Sequence, residues 1–382
     1  MTRKLLYIAN ARMPTEKAHG IAIMKACQAF VREGVEVTLV VPQRRNHLKN
    51  DPFELYGIRE RFPIVHLFTI DLYSYEKMFG RACFIVQALT FYKVLFWWLL
   101  FQSRSQIVYT RDAPVVAIAR LLGFRVFLEC HAAQGRSLYY RCAHLAHGMV
   151  TTARAIALKF VSRGFDSERV FVVPNAVDLD VFDIAVDCAE ARARLGIAPD
   201  SFLMVYTGNF TTYGEDKGIT DILHALRNLP SDVHMIAVGG SEGDCTRYAS
   251  LAHDLDVMDR VTFIGYQTQP TLALYQKAAD VLMMPFPDTP HYRSNMSPIK
   301  MFEYMASKCP IIASDLPTIR EILDETTALI IPPNSPEEMA AAVKTVQSNP
   351  VEGERKADAA YERVKQFTWQ YRAKKILAFI AS

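Results

Sequence analysis

Short apolar segments rich in β-branched residues alternate with longer amphipathic segments along the whole chain. This alternation is typical of parallel strands joined by crossover helices, because a strand that is buried on both faces is apolar throughout. The pattern therefore predicts an α/β protein. In the first half it predicts strands near residues 5–9, 35–41, 64–68, 107–109, 126–129, 149–151 and 170–173.

The same rhythm restarts after residue 200, which indicates a second doubly wound domain. Its strands are predicted near residues 202–206, 234–238, 261–264, 281–284, 311–313 and 329–331. We place the first domain at residues 1–180 and the second at 181–366, because a charged segment follows Pro174. A last helix, from Trp369 to about Ile380, follows the second domain, and we expect the segment 367–382 to dock on the first domain.

Composition supports two packed domains and argues against several classes of protein. The chain has 382 residues, of which 51% are hydrophobic and 22% charged, so it is long enough for two cores and too apolar for disorder. Its net charge of +3 is too small to indicate bulk binding of nucleic acid. The seven cysteines contain no Cys-x-x-Cys pair, which favours a reducing cytoplasm. The sequence contains no complete set of zinc ligands, so no metal site is predicted. The first residues lead directly into a strand, so no export signal is expected.

The most apolar stretch covers residues 81–101 and is interrupted by Gln87 and Lys93. The interruption favours a buried or interface-lying helix over a membrane span. We consider the hypothesis of peripheral contact with an anionic membrane, at its inner face. The apolar residues behind it are Phe84, Leu89, Phe91, Phe96, Trp97, Trp98 and Phe101, and the basic ones are Arg44, Arg45, Lys49, Arg81, Lys93 and Arg104. The alternative is that the helix packs wholly between the sheet and its neighbours.

A candidate phosphate site lies in the run Ser297-Pro298-Ile299-Lys300. Serine is a favoured N-cap and proline suits the first helical position, so the run predicts a helix that Ser297 caps. The amides at such a start bind anions. Lys300 could neutralise a phosphate, and Glu303 on the same helical face could accept the hydroxyls of a ribose. The alternative is an ordinary cap with a surface ion pair between Lys300 and Glu303.

Glycines follow two predicted strands of the second domain. Gly208-Asn209 follows the first strand and leads to Lys217, and Gly239 follows the next strand. Ligands of open α/β sheets bind at the carboxyl ends of the strands, so Lys217 is a candidate phosphate contact. A Lys-Gly pair before a helix is also an ordinary turn. Gly239 permits close approach of a ligand, but the Gly-x-Gly-x-x-Gly spacing of a dinucleotide site is missing.

Two positions of the first domain could meet an acceptor. Gly20 opens a predicted helix after the first strand, and His131 lies at a strand end in Glu129-Cys130-His131. A histidine in that place could polarise or hydrogen-bond a sugar. The alternative is a structural histidine whose hydrogen bonds are satisfied within the domain.

In their order and spacing these motifs resemble those of the family 4 glycosyltransferases. The further matching segments are Val173-Pro174-Asn175-Ala176-Val177-Asp178, Phe263-Ile264-Gly265, Phe302-Glu303-Tyr304-Met305-Ala306 and Phe367-Thr368-Trp369. The resemblance implies the GT-B fold, in which two Rossmann-like doubly wound domains face each other across a cleft and a C-terminal helix crosses back to the first domain. It implies retaining, metal-independent transfer of a sugar from a nucleoside diphosphate sugar to a glycan, lipid-linked or small-molecule acceptor, without a further cofactor.

The resemblance also implies roles for the residues of the donor site. Glu303 matches the second of two carboxylates eight positions apart, which in relatives holds the nucleotide ribose, whereas Asn295 stands at the first position. Asn209 stands where relatives have an arginine. Lys217 must then carry more of the diphosphate charge, together with Lys300.

By the same resemblance, His131 points toward the transferred sugar. We expect the catalytic residues to be His131, Lys217 and Glu303, and the acceptor side to include Gly20 and His131. The expected donor-binding residues are Gly208, Asn209, Lys217, Gly239, Asn295, Ser297, Pro298, Ile299, Lys300 and Glu303. Two alternatives stay open: a nucleotide-sugar epimerase of the same fold, and a non-catalytic scaffold that binds nucleotide sugars.

Overall fold

The computed structural model describes residues 3–75, 78, 80–132, 137–212 and 214–382. These residues form two compact units, each built around a parallel β-sheet. The first unit comprises Met1–Pro174 and Trp369–Ser382, and the second comprises Asn175–Thr368.

The first unit contains a seven-stranded sheet. Its strands are β1 Lys4–Ile8, β2 Glu36–Pro42, β3 Ile64–Leu67, β4 Ile107–Thr110, β5 Arg125–Cys130, β6 Gly148–Thr151 and β7 Val170–Val172. They lie in the order β3-β2-β1-β4-β5-β6-β7, and all neighbours are parallel. The strand order reverses direction between β1 and β4, which is the place where doubly wound sheets bind ligands. The helices of this unit are Ala18–Arg32, Pro52–Leu55, Arg81–Leu100, Ala113–Leu121, Ser137–Ala143, Arg154–Val161 and Trp369–Ala381.

The second unit repeats this plan with six parallel strands. They are β8 Phe202–Thr207, β11 Val233–Val238, β12 Val261–Ile264, β13 Val281–Met284, β14 Ile311–Ser314 and β15 Leu329–Ile331, in the order β12-β11-β8-β13-β14-β15. A small antiparallel hairpin, β9 Thr211–Thr212 and β10 Glu215–Asp216, follows β8. The helices are Leu179–Phe182, Cys188–Leu195, Ile219–Arg227, Glu242–Asp254, Gln269–Lys277, Pro290–Ser294, Ile299–Ala306, Pro317–Arg320, Pro336–Ser348 and Pro350–Val364.

Each strand predicted from the apolar pattern is present, with its ends within one residue of the prediction. The reason is visible in the central strands, where residues 5–8 of β1 and 203–206 of β8 are at most 2% exposed. A strand that is buried on both faces must be continuously apolar, so its sequence is easy to recognise. The hairpin of β9 and β10 was not predicted, because two-residue strands have no detectable period.

The last helix, Trp369–Ala381, packs within the first unit against the helix Ala18–Arg32. The ring of Phe379 stacks on Phe171 with ring centroids 5.3 Å apart. A Cβ on Gly148 would lie 2.8 Å from the Phe379 ring, so the absence of a side chain on β6 makes room for this helix.

Candidate functional site

The helix Ile299–Ala306 begins later than the sequence predicts. Pro298 is its N-cap, and no described side chain caps it. The prediction that Ser297 caps the helix and that Pro298 is its first residue is wrong. The Ser297 hydroxyl accepts a hydrogen bond from the Asn175 backbone N–H at 3.0 Å, and its carbonyl accepts one from the Asn175 side-chain amide at 2.6 Å. This helix start therefore has amides that no cap satisfies.

Two other helix starts in the same unit are closed by side chains. The carboxylate of Asp216 accepts hydrogen bonds of 3.1 Å from three backbone amides at the start of the helix Ile219–Arg227. Ser241 and Asp244 form a capping box at the start of the helix Glu242–Asp254. Of these three helix starts, the one at residue 299 is the one that can bind an external anion.

Lys300 places a buried cation beside this open helix start. Its side chain is buried, and its Nζ has no hydrogen-bond partner in the part of the chain that the structure describes. The ammonium lies 3.4 Å from the ring centroid of Tyr206 and 5.4 Å from that of Phe286. Burial, and then the charge on Lys217, hold the pKa of Lys300 well below its ordinary value. Glu303 opposes this effect. A buried ammonium without a hydrogen-bond partner is costly, so the site favours an anion.

Two glycines allow the strand ends to approach Lys300. Gly208 follows β8 at φ +104°, and a Cβ on it would lie 3.4 Å from Lys300 Cε and 3.7 Å from Nζ. Gly239 follows β11 at φ +113°, and its Cβ would lie 2.8 Å from the Gly208 carbonyl oxygen. Side chains at either position would be strained; one at Gly208 would crowd the ammonium, and one at Gly239 would collide with the Gly208 backbone. The structure thus brings Gly208, Gly239 and Lys300 together, and all three were predicted to belong to the donor site.

Glu303 lies one turn further along the same helix and is also buried. Burial raises its pKa to about 7, while Lys300 and hydrogen bonds from the side chains of Gln276 and Gln269 oppose this rise. Gln276 also donates to the Thr207 hydroxyl at 3.0 Å, which connects Glu303 to the end of β8. The alternative of a surface ion pair between Lys300 and Glu303 is wrong, because both side chains are buried.

Lys217 is partly buried, and its position is set by its neighbour Gly218. Gly218 has φ +93°, and a Cβ on it would lie 1.9 Å from the Pro285 carbonyl oxygen, so only glycine fits there. Burial lowers the pKa of Lys217 to about 8, and Asp244 opposes this effect. The charge on Lys217 acts on Lys300, so the two lysines share this end of the sheet.

The two asparagines of the predicted donor site lie shortly after β8 and at the end of a short helix. Asn209 is exposed, and its backbone carbonyl accepts a hydrogen bond from the Tyr206 hydroxyl at 2.9 Å. Asn295 is buried and ends the short helix Pro290–Ser294. Their contact with a donor stays a prediction.

In the first unit, a buried network surrounds Glu129 at the end of β5. Its Oε1 accepts hydrogen bonds from Arg372 at 2.7 Å and Arg111 at 3.4 Å, and its Oε2 accepts one from the Tyr7 hydroxyl at 2.9 Å. His131 Nε2 lies 2.9 Å from the same Oε1. Burial alone would raise the pKa of Glu129, but the two arginines hold it well below its ordinary value. Glu129 is therefore an anion that orients the imidazole of His131.

His131 is neutral in this environment. Burial, and then the charge on Arg111, lower its pKa to about 4, although its side chain keeps 31% of its surface exposed. Neither arginine of the network was predicted from the sequence. Arg111 directly follows β4 and has the same strand-end signal as His131, whereas Arg372 is 243 residues from Glu129 and gives no local signal.

Gly20 has a packing role within the first unit. A Cβ on it would lie 2.5 Å from the Tyr56 hydroxyl and 2.6 Å from the Thr15 methyl group. The nearby Arg12 forms an ion pair with Glu16 at 2.6 Å. Glycine is therefore required by internal packing, and the contact of Gly20 with an acceptor stays a prediction.

Among the described residues, the cysteines and other metal-ligating side chains form no metal centre. All seven cysteines are free thiols. Within the described ranges, no group of three or more His, Cys, Asp or Glu side chains is placed to hold a metal ion.

Two family models match consecutive parts of the chain. The model described as Glycosyltransferase Family 4 matches residues 20–181, and the model described as Glycosyl transferases group 1 matches residues 201–349. The chain therefore belongs to the family 4 glycosyltransferases.

Curated relatives match about half of the chain. The D-inositol 3-phosphate glycosyltransferase of Mycobacteroides abscessus is 30% identical over 220 residues, which are 56% of this chain and 46% of that protein. The protein of the same name from Kineococcus radiotolerans is 29% identical over 223 residues, which are 54% of this chain and 50% of that protein. The chain thus spans about half the length of the curated relatives it matches.

Solved structures resemble the whole chain. Anabaena HepE in complex with UDP and glucose has a TM-score of 0.75 at 15% identity and covers 99% of both chains. Sucrose-phosphate synthase from Thermosynechococcus elongatus has a TM-score of 0.75 at 18% identity and covers 100% of both. At these identities the likeness establishes the fold, and the predicted GT-B fold is confirmed.

Proposed function

We propose that this protein transfers a glycosyl group from a nucleoside diphosphate sugar to an acceptor hydroxyl, with retention of the anomeric configuration. Membership of family 4 supports the reaction class. The observation that carries the donor class is Lys300, a buried ammonium without a hydrogen-bond partner among the described residues, beside an uncapped helix start.

The diphosphate of the donor lies at this helix start. The open amides, Lys300 and Lys217 supply hydrogen bonds and positive charge, which an anion of at least two charges would balance. As the bond between sugar and diphosphate breaks, negative charge develops on the departing diphosphate. The same groups stabilise that charge without rearranging, because they are held by the sheet and the helix.

The ribose of the donor lies at Glu303. When ionised, its carboxylate accepts hydrogen bonds from the paired ribose hydroxyls. The hydrogen bonds from Gln276 and Gln269 favour this ionised form.

His131 contacts the transferred sugar, as the resemblance implies. Because Nε2–H donates to the Glu129 carboxylate, the neutral imidazole can accept one hydrogen bond from a sugar hydroxyl at Nδ1 without placing a charge there. The two lysines at the diphosphate supply the positive charge that a divalent cation supplies in other enzymes, so the reaction proceeds without a metal.

The acceptor is a hydroxyl compound of the glycan, lipid-linked or small-molecule class. We place the protein in the cytoplasm, because its seven free thiols suit a reducing compartment. UDP-sugars are the first donors to test, since the similar structure of Anabaena HepE was solved with UDP and glucose.

Substitution of Lys300 by Met tests the proposal, because it keeps the apolar stem and removes the charge. We expect UDP affinity by calorimetry to fall about 10- to 100-fold, the loss of one charge-assisted contact. The free energy of unfolding without ligand should not fall, because a buried ammonium that lacks a hydrogen-bond partner is removed. Lys277→Met is the control, since Lys277 is in the same unit and donates to the Ser307 carbonyl.

Equal UDP affinity in wild type and Lys300→Met would reject the diphosphate site. Binding of UDP, GDP or ADP without turnover of any of their sugars, over a panel of glycan and lipid-linked acceptors, would instead indicate a binding protein.

A further inference from the structure

The helix Arg81–Leu100 has one face in the core and the opposite face in solvent. Residues four positions apart along the helix line up as a stripe on its surface. Two such stripes start two residues apart, which places them about 200° apart around the helix, on opposite faces. The buried stripe is Cys83, Gln87, Phe91, Leu95 and Leu99. The outward stripe is Ile85, Leu89, Lys93, Trp97 and Phe101. The expectation that this helix packs wholly between the sheet and its neighbours is therefore wrong.

The outward stripe is unusually apolar for a solvent-facing surface. Its exposed fractions are 54% for Ile85, 63% for Leu89, 58% for Trp97 and 86% for Phe101. Lys93 is the one polar residue of the stripe. A contiguous exposed apolar surface of this kind marks an interaction site.

A neighbouring loop extends this surface. The Thr69 hydroxyl donates to the Gln87 carbonyl at 2.8 Å, and the Ile70 N–H donates to the Thr90 hydroxyl at 3.1 Å, so the loop is fixed to the helix. Phe68 and Ile70 on either side of Thr69 are exposed. We define the apolar face as Phe68, Ile70, Ile85, Leu89, Trp97 and Phe101.

The charges on the helix of the apolar face are basic, whereas Asp71, which follows Ile70 in the neighbouring loop, is acidic. From residue 77 to residue 111 the sequence contains five basic residues and no acidic residue. Arg81 and Lys93 are exposed on the helix itself. Arg104 has a different role, because it donates to the Leu99 carbonyl at 2.7 Å and closes the end of the helix. The Nε of Arg44 lies 3.7 Å from the Asp71 carboxylate, so Arg44 is already paired and less able to bind another anion.

We propose that the apolar face docks on the surface of an anionic lipid bilayer, with the helix lying in the plane of the interface. Tryptophan and phenylalanine insert readily at the boundary of head groups and acyl chains. Arg81 and Lys93 then meet anionic head groups. A second copy of the chain fits less well, because these cations would face their own equivalents and the helix has no acidic residue to pair with them.

The helix lies on the membrane and does not cross it. By length and composition it could span a bilayer. However, Phe91, Leu95 and Leu99 are fully buried in the core of the first unit. Crossing would require these side chains to leave that core, which would open a cavity in the first unit.

Vesicle co-sedimentation of the full chain tests this proposal independently of any transfer activity. We expect sedimentation with vesicles of phosphatidylcholine and phosphatidylglycerol, and much less with phosphatidylcholine alone. The double substitution Leu89→Glu with Trp97→Glu should abolish it. Both positions are exposed, so the thermal unfolding temperature should not change. The control is Leu158→Glu, which changes an equally exposed leucine on another helix of the same unit.

Two further variants measure how much the basic residues contribute to vesicle binding. Lys93→Gln and Arg81→Gln should each lower affinity for anionic vesicles about fivefold, which corresponds to one surface cation. The emission of Trp97 should shift to shorter wavelength on binding, and this change should be reduced in Trp97→Phe.

Absence of wild-type sedimentation with anionic vesicles would overturn the proposal, as would unchanged sedimentation of the double variant. A dimer seen by light scattering, lost in the double variant and accompanied by no vesicle binding, would also overturn it and make the apolar face a self-association surface.

Discussion

Lys217 and Lys300 hold their protons less firmly than ordinary lysines do. Burial lowers the pKa of Lys217 to about 8, and burial with the charge on Lys217 holds the pKa of Lys300 well below its usual range. A bound diphosphate adds negative charge and raises both pKa values. Binding at slightly alkaline pH must therefore take up protons, which links donor affinity to pH.

We predict that UDP affinity falls as the pH rises through about 8, because Lys217 then loses its proton in the free protein. Calorimetry at that pH, in two buffers of different ionisation enthalpy, should show proton uptake. Lys217→Ala should bind UDP more weakly and take up fewer protons, with little loss of folding stability, since Lys217 is only partly buried. Lys277→Ala should behave as wild type. Affinity that is constant or rises between pH 7 and pH 9 would contradict the assignment.

Glu303 should give the opposite pH dependence. Its pKa is raised to about 7, so its carboxyl group is half protonated near neutrality in the free protein. We predict that uridine, which has no phosphate, binds more tightly as the pH rises from about 6 to 8, because the ionised form accepts the ribose hydroxyls. In Glu303→Gln this dependence should disappear, and transfer should be largely lost in Glu303→Ala. A folded Glu303→Ala protein with unchanged uridine affinity would show that the ribose binds elsewhere.

At the scale of elements, the sequence predicts those strands and helices whose limits depend on neighbouring residues alone. The parallel strands were found because burial on both faces makes them apolar throughout. The start of the helix Ile299–Ala306 was misplaced because Ser297 bonds to Asn175, which lies 122 residues away. A cap preference is a local rule, and a distant partner can override it.

The network around Glu129 was also only partly predictable from the sequence. Glu129 and His131 were recognisable from their place at the end of β5, but Arg372 reaches them from the last helix of the chain. Its Nε also donates to the Pro174 carbonyl at 2.9 Å, so one side chain connects three distant segments. Only the folded chain shows this connection, because nothing near Arg372 in sequence indicates a buried partner.

We predict that Arg372→Met lowers the free energy of unfolding by about 3–5 kcal/mol, because it leaves the buried Glu129 with one arginine fewer. Lys374→Met on the same helix is the control. The ammonium of Lys374 lies 3.8 Å from Glu33 at the surface, so its loss should cost less than about 1 kcal/mol. Chemical denaturation of the two variants gives the comparison. Equal stability of both variants would mean that the Arg372 ion pair contributes nothing to anchoring the last helix.

At the scale of the whole molecule, the two units carry different chemistry. The second unit has positive charge and open amides at one helix start, and the first has a neutral histidine held by a buried anion. The order of motifs along the chain was enough to predict the fold. It did not indicate which lysine is buried or which face of the helix Arg81–Leu100 is exposed, because both depend on packing between segments distant in sequence.

We predict that transfer persists in excess EDTA and that the product keeps the anomeric configuration of the donor. Two lysines and the open helix start already supply positive potential for the departing diphosphate, so a divalent cation has no necessary task there. The first test is the rate of sugar transfer, with and without EDTA, once a donor is found by calorimetry. The second is the anomeric proton coupling of the product, measured by NMR at early times before any equilibration. A rate that is lost with EDTA and restored by Mg²⁺ or Mn²⁺ would show that the lysines are insufficient, and an inverted product would exclude the retaining mechanism.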